Sequence, residues 1–109
     1  MLTLEITSQF RRDYKRIRKR GYDLSLLKAV IDTLLAGQQL APRYRDHALT
    51  GDMKAYRECH IQPDWLLIYR IEAHQLILLV SRTGTQISLT LNISLSRRAF
   101  RAAFVYQKA

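Results

Sequence analysis

The stretch of sequence that decides the fold is residues 46–69, which are DHALTGDMKAYRECHIQPDWLLIY. A strongly apolar run, residues 65–71, begins near the end of this stretch, directly after the turn signal Pro63-Asp64. Short apolar runs bounded by turn residues are typical of buried strands. A second apolar run, residues 76–80, follows a polar tip at residues 73–75, so the sequence predicts a β-hairpin within a sheet.

A strand and a first helix are predicted at the N-terminus, ahead of this stretch. Residues 2–7 alternate between apolar and polar side chains, which is the period of a half-buried strand. Phe10, Tyr14 and Ile17 then form one stripe of a helix, with Ser8 as its N-cap.

A second helix follows the glycine stop at Gly21, is capped by Asp23 or Ser25, and ends at Gly37. Its broad apolar face consists of Leu26, Leu27, Val30, Ile31, Leu34 and Leu35. The order of one strand, two helices and several strands in hairpin succession predicts an α+β fold. In it, an N-terminal strand and a two-helix hairpin pack on a largely antiparallel sheet.

The remaining segments predict further strands and a C-terminal helix. Residues 55–61 alternate weakly and predict a strand, and residues 87–95 alternate more clearly. A short helix is predicted after Ser96, with Phe100, Ala103 and Phe104 on one side.

The net charge of +9 and the pI of about 10.2 predict a polyanionic partner, with nucleic acid the first choice. An acidic membrane surface or an acidic protein are the alternatives. In the first helix only Asp13 offsets the cations, so the helix repels itself unless it contacts an anion. The candidate phosphate-binding residues of this helix are Arg11, Arg12, Lys15, Arg16, Arg18 and Lys19, against the simpler interpretation of a solvated face.

The single cysteine, Cys59, forms no intramolecular disulfide, which suits a reducing compartment. The sequence has no apolar run of the roughly 18 residues that a membrane span needs, and its start lacks the layout of a signal peptide. We therefore expect a cytoplasmic protein without a membrane partner.

Two histidines and an aspartate are the candidate acid–base groups: His47, His60 and Asp64. Lys54 and Arg57 lie between them, so a proton acceptor, a proton donor and positive charge share one short span. Phosphodiester cleavage needs those three elements. The spacing matches no strong zinc pattern, and we expect neither a metal site nor a cofactor. Each histidine alone is more often structural than catalytic.

At this point the sequence resembles the YafQ-type toxins of the RelE superfamily. The resemblance covers residues 1–85 and rests on linked motifs that occur together and in order. They are Tyr44-Arg45-Asp46-His47, Leu49-Thr50-Gly51, residues 54–60 (KAYRECH), residues 63–69 (PDWLLIY) and Arg82-Thr83-Gly84-Thr85.

The resemblance implies a RelE-like microbial RNase fold and the toxin of a type II toxin–antitoxin pair. Such toxins are ribosome-dependent endoribonucleases that cut mRNA in the ribosomal A site without a metal ion. The ribose 2′-hydroxyl attacks the adjacent phosphate. The implied partners are a cognate acidic antitoxin, mRNA on the ribosome, and operator DNA through the antitoxin only.

Mapped onto this sequence, the resemblance places His47, His60 and Asp64 at catalytic positions. Lys54, Arg57 and Arg82 are candidates for stabilising phosphate charge. Histidine titrates near neutral pH, so both acid and base roles are reachable, and the assignment between them stays open.

The pattern breaks at Gln86, where the family places a further catalytic histidine. Glutamine forms hydrogen bonds but exchanges no proton at neutral pH. We therefore expect a toxin domain at residues 1–85 and an atypical tail at residues 86–109. The tail is either a lineage-specific extension or the product of a reading-frame change near codon 86.

Three functions are compatible with the sequence. The first is an mRNA-cleaving toxin, impaired to some degree by Gln86. The second is a catalytically inactive toxin remnant that binds the antitoxin and corepresses the operon. A generic basic RNA-binding domain is the third, and it explains the charge but not the linked motifs.

Overall fold

The computed structural model describes residues 1–83 and the backbone of residues 104–105. Two helices pack on one sheet, in the strand order β2-β3-β4-β5-β1-β6. The strands are β1 (Thr3–Ile6), β2 (His47–Ala48), β3 (Arg57–Gln62), β4 (Trp65–Glu72), β5 (Gln75–Thr83) and β6 (Phe104–Val105), and the helices are α1 (Ser8–Lys19) and α2 (Leu24–Leu35). Among the described strands only β1 and β5 pair in parallel, so the predicted α+β fold is confirmed.

The hairpin of β4 and β5 is the central pair of the sheet, as predicted. Its residues are buried on both faces, from Trp65 to Tyr69 and from Leu76 to Thr83. The register shifts by one residue where Ile68 pairs with Val80 and Tyr69 pairs with Leu78. This bulge leaves Leu79 without a direct partner and changes which face the next side chains occupy.

The main core lies between the helices and one face of the sheet. It includes Phe10 and Ile17 from α1, Leu27 and Val30 from α2, and Trp65 from β4. The Trp65 indole is fully buried and packs edge-on to the ring of Tyr22 at 5.1 Å, and its Nε1 donates to Ser81 Oγ at 2.9 Å. The prediction that Trp65 belongs to the core is confirmed.

A second, smaller cluster covers part of the opposite face of the sheet. The loop between β2 and β3 folds over this face and buries Met53 and Tyr56 against Ile68, Leu79 and Val80. The loop contains a short 3₁₀ turn, Gly51–Met53, where the sequence predicted a turn. Beyond this cluster, β2 and the turn between β3 and β4 are exposed.

The N-cap of α1 is Thr7, and the prediction of Ser8 is wrong by one residue. Thr7 Oγ1 accepts a hydrogen bond from the Phe10 amide at 3.0 Å and donates to the Leu79 carbonyl at 2.5 Å. Thr7 is fully buried, and its single hydroxyl both caps the helix and attaches it to β5. Ser8 becomes the first helical residue.

The structure differs from the predictions at the start of β3, at the end of β5 and at Phe104. β3 begins at Arg57, because Tyr56 instead closes the preceding turn through its amide bond to the Met53 carbonyl. β5 continues through Thr83, beyond the predicted end at residue 80. Phe104 pairs with Ile6 as an extended residue, so its placement in a helix is wrong. The rest of the predicted tail strand and helix lies outside the described residues.

None of the helices within residues 1–83 has the length and apolar character needed to cross a membrane.

The two-residue turn between β4 and β5 predicts a stabilising substitution. Ala73 and His74 have φ values of 50° and 66°, a region that costs non-glycine residues about 1–2 kcal/mol each. We expect Ala73→Gly to raise the free energy of unfolding by about 0.5 kcal/mol, since the added chain entropy of glycine offsets part of the relieved strain. Urea denaturation measures the change.

Ala36→Gly is the matched control, because Ala36 has an ordinary φ of −77° at the end of α2. There glycine should lower stability by up to about 1 kcal/mol. Equal losses at Ala36 and Ala73 would contradict the assignment of strain to the turn.

Candidate active site

Strand register brings two of the predicted acid–base residues to the same face of the sheet. His47 of β2 pairs with Glu58 of β3, and His60 lies two residues further along β3. Residues directly opposite share a face, as do residues two apart on one strand. His47 and His60 are therefore diagonal neighbours, about 7 Å apart at that spacing.

The ring of His47 contacts oxygen at both of its nitrogens. Nδ1 lies 2.7 Å from the carbonyl oxygen of Arg45, and Nε2 lies 3.3 Å from Glu58 Oε1. The His47 side chain is half exposed, whereas that of Glu58 is only 14% exposed. Both ring nitrogens therefore lie close to protein oxygens, while about half of the side chain stays exposed to solvent.

His60 lies further along the same face, in the same cross-strand row as Arg82 near the end of β5. His60 pairs with Leu66, which in turn pairs with Arg82 across β4 and β5. Asp64 lies in the exposed turn between β3 and β4, at the same end of the sheet. The register shift between His60 and Gln62 bends this end of β3 just before the turn.

Arg57 lies on the opposite face of the sheet from His47 and His60. It alternates with Glu58 along β3, and its Nε binds Asp46 Oδ1 at 3.2 Å. The same aspartate oxygen accepts a hydrogen bond from the Tyr69 hydroxyl at 2.8 Å, and burial together with this bond raises the pKa of Tyr69. Arg57 is therefore ion-paired at the sheet edge, and its phosphate-binding role stays a prediction.

Arg82 is buried and paired with an acid of helix α1. Its Nη1 binds Asp13 Oδ1 at 2.6 Å, and Asp13 is fully buried. Asp13 Oδ2 accepts from the Ser81 amide at 2.9 Å, and Oδ1 accepts from Gln9 Nε2 at 2.9 Å. Burial raises the pKa of the Asp13 carboxyl, opposed by the Ser81 amide and the Arg82 guanidinium. Among the described residues, Arg82 Nε has no hydrogen-bond partner.

From the sequence, Asp13 was interpreted only as a negative charge that offsets its basic neighbours. A signal of its burial was present, because Asp13 is three residues after Phe10 and four before Ile17, on the apolar stripe of α1. The structure also adds Glu58 to the candidate site, and it places the Asp46 carboxylate on Arg57 and Tyr69 at the opposite face of the sheet. Neither was among the acid–base residues predicted from the sequence, because the contacts of each depend on how the strands pair.

The cations of α1 divide between two sides of the helix. On the side toward the end of β5, Arg12 donates to Gln9, Arg16 pairs with Asp13 and Arg20 donates to the Thr83 hydroxyl. On the side toward α2, Arg11, Lys15 and Arg18 line an apolar groove of about 510 Å³ between the two helices. Lys19 lies on the exposed surface. Only the first side adjoins the candidate site.

Lys54 is exposed on the loop that folds over the site face, directly after the turn Gly51–Met53. Gln86 lies outside the described residues. Within residues 1–83, no three His, Cys, Asp or Glu side chains are grouped as a metal site would require.

Comparison with known proteins places the chain in a family. A family model described as the bacterial toxin of a type II toxin–antitoxin system, YafQ, matches residues 2–90. This protein belongs to the YafQ toxin family. The mRNA interferase toxin YafQ of Escherichia coli K12 is 37% identical to it over 87 residues, which cover 79% of this chain and 92% of the relative.

Solved structures of YafQ-like toxins share the fold. A metal-bound toxin from Helicobacter pylori superimposes with a TM-score of 0.74 at 42% identity, covering 80% of this chain and 99% of its own. YafQ in the E. coli DinJ–YafQ complex superimposes with a TM-score of 0.73 at 32% identity, covering 82% of this chain and 98% of its own. The RelE-like α+β architecture expected from the resemblance is confirmed.

The buried pair of Asp13 and Arg82 yields a stability prediction. We expect Asp13→Asn to lower the free energy of unfolding by about 3 kcal/mol, because it leaves the Arg82 guanidinium buried without its counter-charge. Urea denaturation measures the loss. Asp32→Asn removes an exposed pair with Lys28 on α2 and should cost only about 0.5 kcal/mol. Equal costs at the two sites would contradict the burial of the first pair.

Cys59 provides a second test of the packed sheet. Burial raises the pKa of its thiol to about 12, assisted by the negative charges of Asp46 and Glu58. Since the thiolate is the reactive form, native Cys59 should resist iodoacetamide at pH 8 and react readily in urea. Mass spectrometry follows the labelling. Ala29→Cys, at an exposed position of α2, should react in the native protein, and equal native rates at both cysteines would refute the prediction.

Proposed function

We propose that this protein is a ribosome-dependent endoribonuclease that cleaves mRNA in the A site, as the toxin of a type II pair. The observation that carries the proposal is the shared sheet face of His47 and His60, aligned with the strand end of Arg82. Acid–base groups on one rigid face can act on both sides of a single phosphate. The relatives named mRNA interferase toxin YafQ support the same activity.

The reaction needs two proton transfers and charge stabilisation. A base takes the proton of the ribose 2′-hydroxyl while that oxygen forms a bond to phosphorus. The bond from phosphorus to the 5′-oxygen breaks, and an acid protonates the leaving oxygen. The products are a 2′,3′-cyclic phosphate and a free 5′-hydroxyl. We propose that His47, His60 and Asp64 carry out these two transfers, one group accepting the 2′-hydroxyl proton and another donating a proton to the 5′-oxygen, which requires no metal ion or cofactor.

Positive charge at the phosphate is proposed to come from Lys54 and Arg82. For Arg57, which lies on the opposite face of the sheet from the two histidines, phosphate binding stays a prediction from the sequence. The surroundings of the three cations differ, because Lys54 is exposed while Arg57 and Arg82 are each paired with an aspartate. The unpartnered Nε of Arg82, among the described residues, is a donor that a phosphate oxygen could accept from. RNA binding therefore depends on exposing Arg82 or on Lys54 and the cations of α1.

Within α1, the proposal assigns RNA contact to the side toward the candidate site, where Arg12 and Arg16 lie. Lys19 is exposed and serves the same surface. Arg11, Lys15 and Arg18 face the groove toward α2, where an acidic partner is the better match for cations around an apolar floor.

The proposed protein partner is a cognate acidic antitoxin, supported by the relative solved as the DinJ–YafQ complex. An acidic chain would neutralise a protein of net charge +9 and keep it from the ribosome. Operator DNA would be reached only through the antitoxin. We place the protein in the cytoplasm, where its ribosomal substrate is found.

A second candidate function is favoured by one observation, Gln86 at the position of an expected histidine. In that case the chain is an inactive remnant that still binds the antitoxin and takes part in repression. Both functions assign the toxin fold to residues 1–85 and leave residues 86–109 as an appended tail. The match to the family model ends at residue 90.

Induced expression of the chain and of Gln86→His, with mRNA cleavage mapped by primer extension, separates the two functions. We expect cleavage by both, faster in Gln86→His by about 10²–10⁴-fold if residue 86 exchanges a proton. A His47→Ala, His60→Ala double variant of Gln86→His controls for contaminating nucleases. Silence from both the chain and Gln86→His would overturn the enzyme proposal and leave the remnant.

A further inference from the structure

Glu58 lies at the centre of the candidate site, between the two histidines. It pairs directly with His47 across β2 and β3 and is two residues before His60 on the same face. A side chain in this position can contact either neighbour, and its oxygen reaches His47 Nε2. The carboxylate is only 14% exposed, so solvent screens this contact less than it screens an ordinary surface ion pair.

The contact made by Nδ1 of the His47 ring determines which ring nitrogen can exchange a proton. The carbonyl oxygen of Arg45 can only accept a hydrogen bond, so His47 Nδ1 must carry a proton and donate it at 2.7 Å. Nδ1 is thereby occupied by the protein. Nε2 is the nitrogen that can take or give a proton. It lies 3.3 Å from Glu58 Oε1, so RNA must approach it from the side of the half-exposed ring that Glu58 does not cover.

The backbone at Arg45 is strained in a way that serves this contact. Arg45 has a φ of 50°, in the left-handed region that costs a non-glycine residue about 1–2 kcal/mol. The short 3₁₀ turn Pro42–Tyr44 holds it there through the bond from the Arg45 amide to the Pro42 carbonyl. Strain of this kind is concentrated at functional sites, where it pre-organises a group.

We propose that Glu58 is a positioning residue for His47, and that with the Arg45 carbonyl it holds the imidazole so that Nε2 exchanges the proton with RNA. The inference rests on the function proposed above. The carboxylate stabilises the imidazolium that exists after His47 has taken a proton or before it gives one. The arrangement therefore serves either assignment of acid and base.

Two experiments on the full-length chain test this role. In the first, a long-range ¹H–¹⁵N spectrum records the histidine ring nitrogens, with His47 assigned by its loss in His47→Gln. We expect Glu58→Gln to shift the His47 ring signals and to leave those of His74, at the far hairpin turn, unchanged. Glu58→Asp should shift them less, because it keeps the charge.

In the second experiment, single-turnover cleavage of mRNA on ribosomes is measured in whichever of the chain and Gln86→His is active. Glu58→Gln should lower the cleavage rate about 10- to 100-fold, the range for carboxylates that orient a functional histidine. The ribosome concentration that gives half-maximal rate should not change. Glu58→Asp should recover most of the rate.

Glu72→Gln is the matched control, since Glu72 is an exposed carboxylate at the other end of β4 that pairs with Arg70. It should alter neither the His47 signals nor the rate. Unchanged His47 signals in Glu58→Gln would overturn the inference, as would an unchanged cleavage rate. If neither the chain nor Gln86→His cleaves mRNA, the proposed function fails, while the ring signals still decide whether Glu58 holds His47.

Discussion

The pairing of β4 with β5 is the constraint on which the rest of the structure depends. Residues 65–69 and 76–83 are buried on both faces, so their side chains must fit against the helices, the covering loop or neighbouring strands. The bulge at Leu79 lets Leu78 pack under the helices while Leu79 and Val80 both join the opposite cluster. As a consequence, Ser81 faces the main core and Arg82 shares the face of His60. A shift of one residue would exchange these positions.

Helix α1 is attached to this hairpin by two buried polar groups rather than by apolar packing alone. Thr7 bonds to the Leu79 carbonyl, and Asp13 binds both the Ser81 amide and the Arg82 guanidinium. Beyond Leu78, where the pairing of β5 with β1 ends, the Leu79 carbonyl and the Ser81 amide at the edge of β5 form their hydrogen bonds with these two side chains. The attachment also lowers the free positive charge at the site, because it pairs Arg82 with Asp13. On the other face of the sheet, Arg57 is paired with Asp46. The count of cations in the sequence therefore overstates the charge that meets a phosphate.

Much of the fold was predictable from local pattern. The central hairpin, the two amphipathic helices and their glycine stops follow from periodicity and turn chemistry, which act over a few residues. The faces of β3 were also predictable, since Arg57 and Glu58 must alternate. The wrong predictions concern the N-cap of α1, the start of β3, the end of β5 and the helical placement of Phe104. Thr7 and Ser8 have equal capping chemistry, and only the Leu79 carbonyl, far away in sequence, selects Thr7.

By itself the sequence determined the central hairpin, the two helices, their order and the basic composition, and it picked out His47, His60 and Asp64 as candidate acid–base residues, because each of these depends on residue type and spacing. Only the tertiary structure decided which residues face each other. It placed Glu58 beside His47, paired Arg57 with Asp46 and buried Asp13 against Arg82. The physical reason is that cross-strand register and helix docking join residues far apart in the chain, and the local pattern contains no record of those pairings.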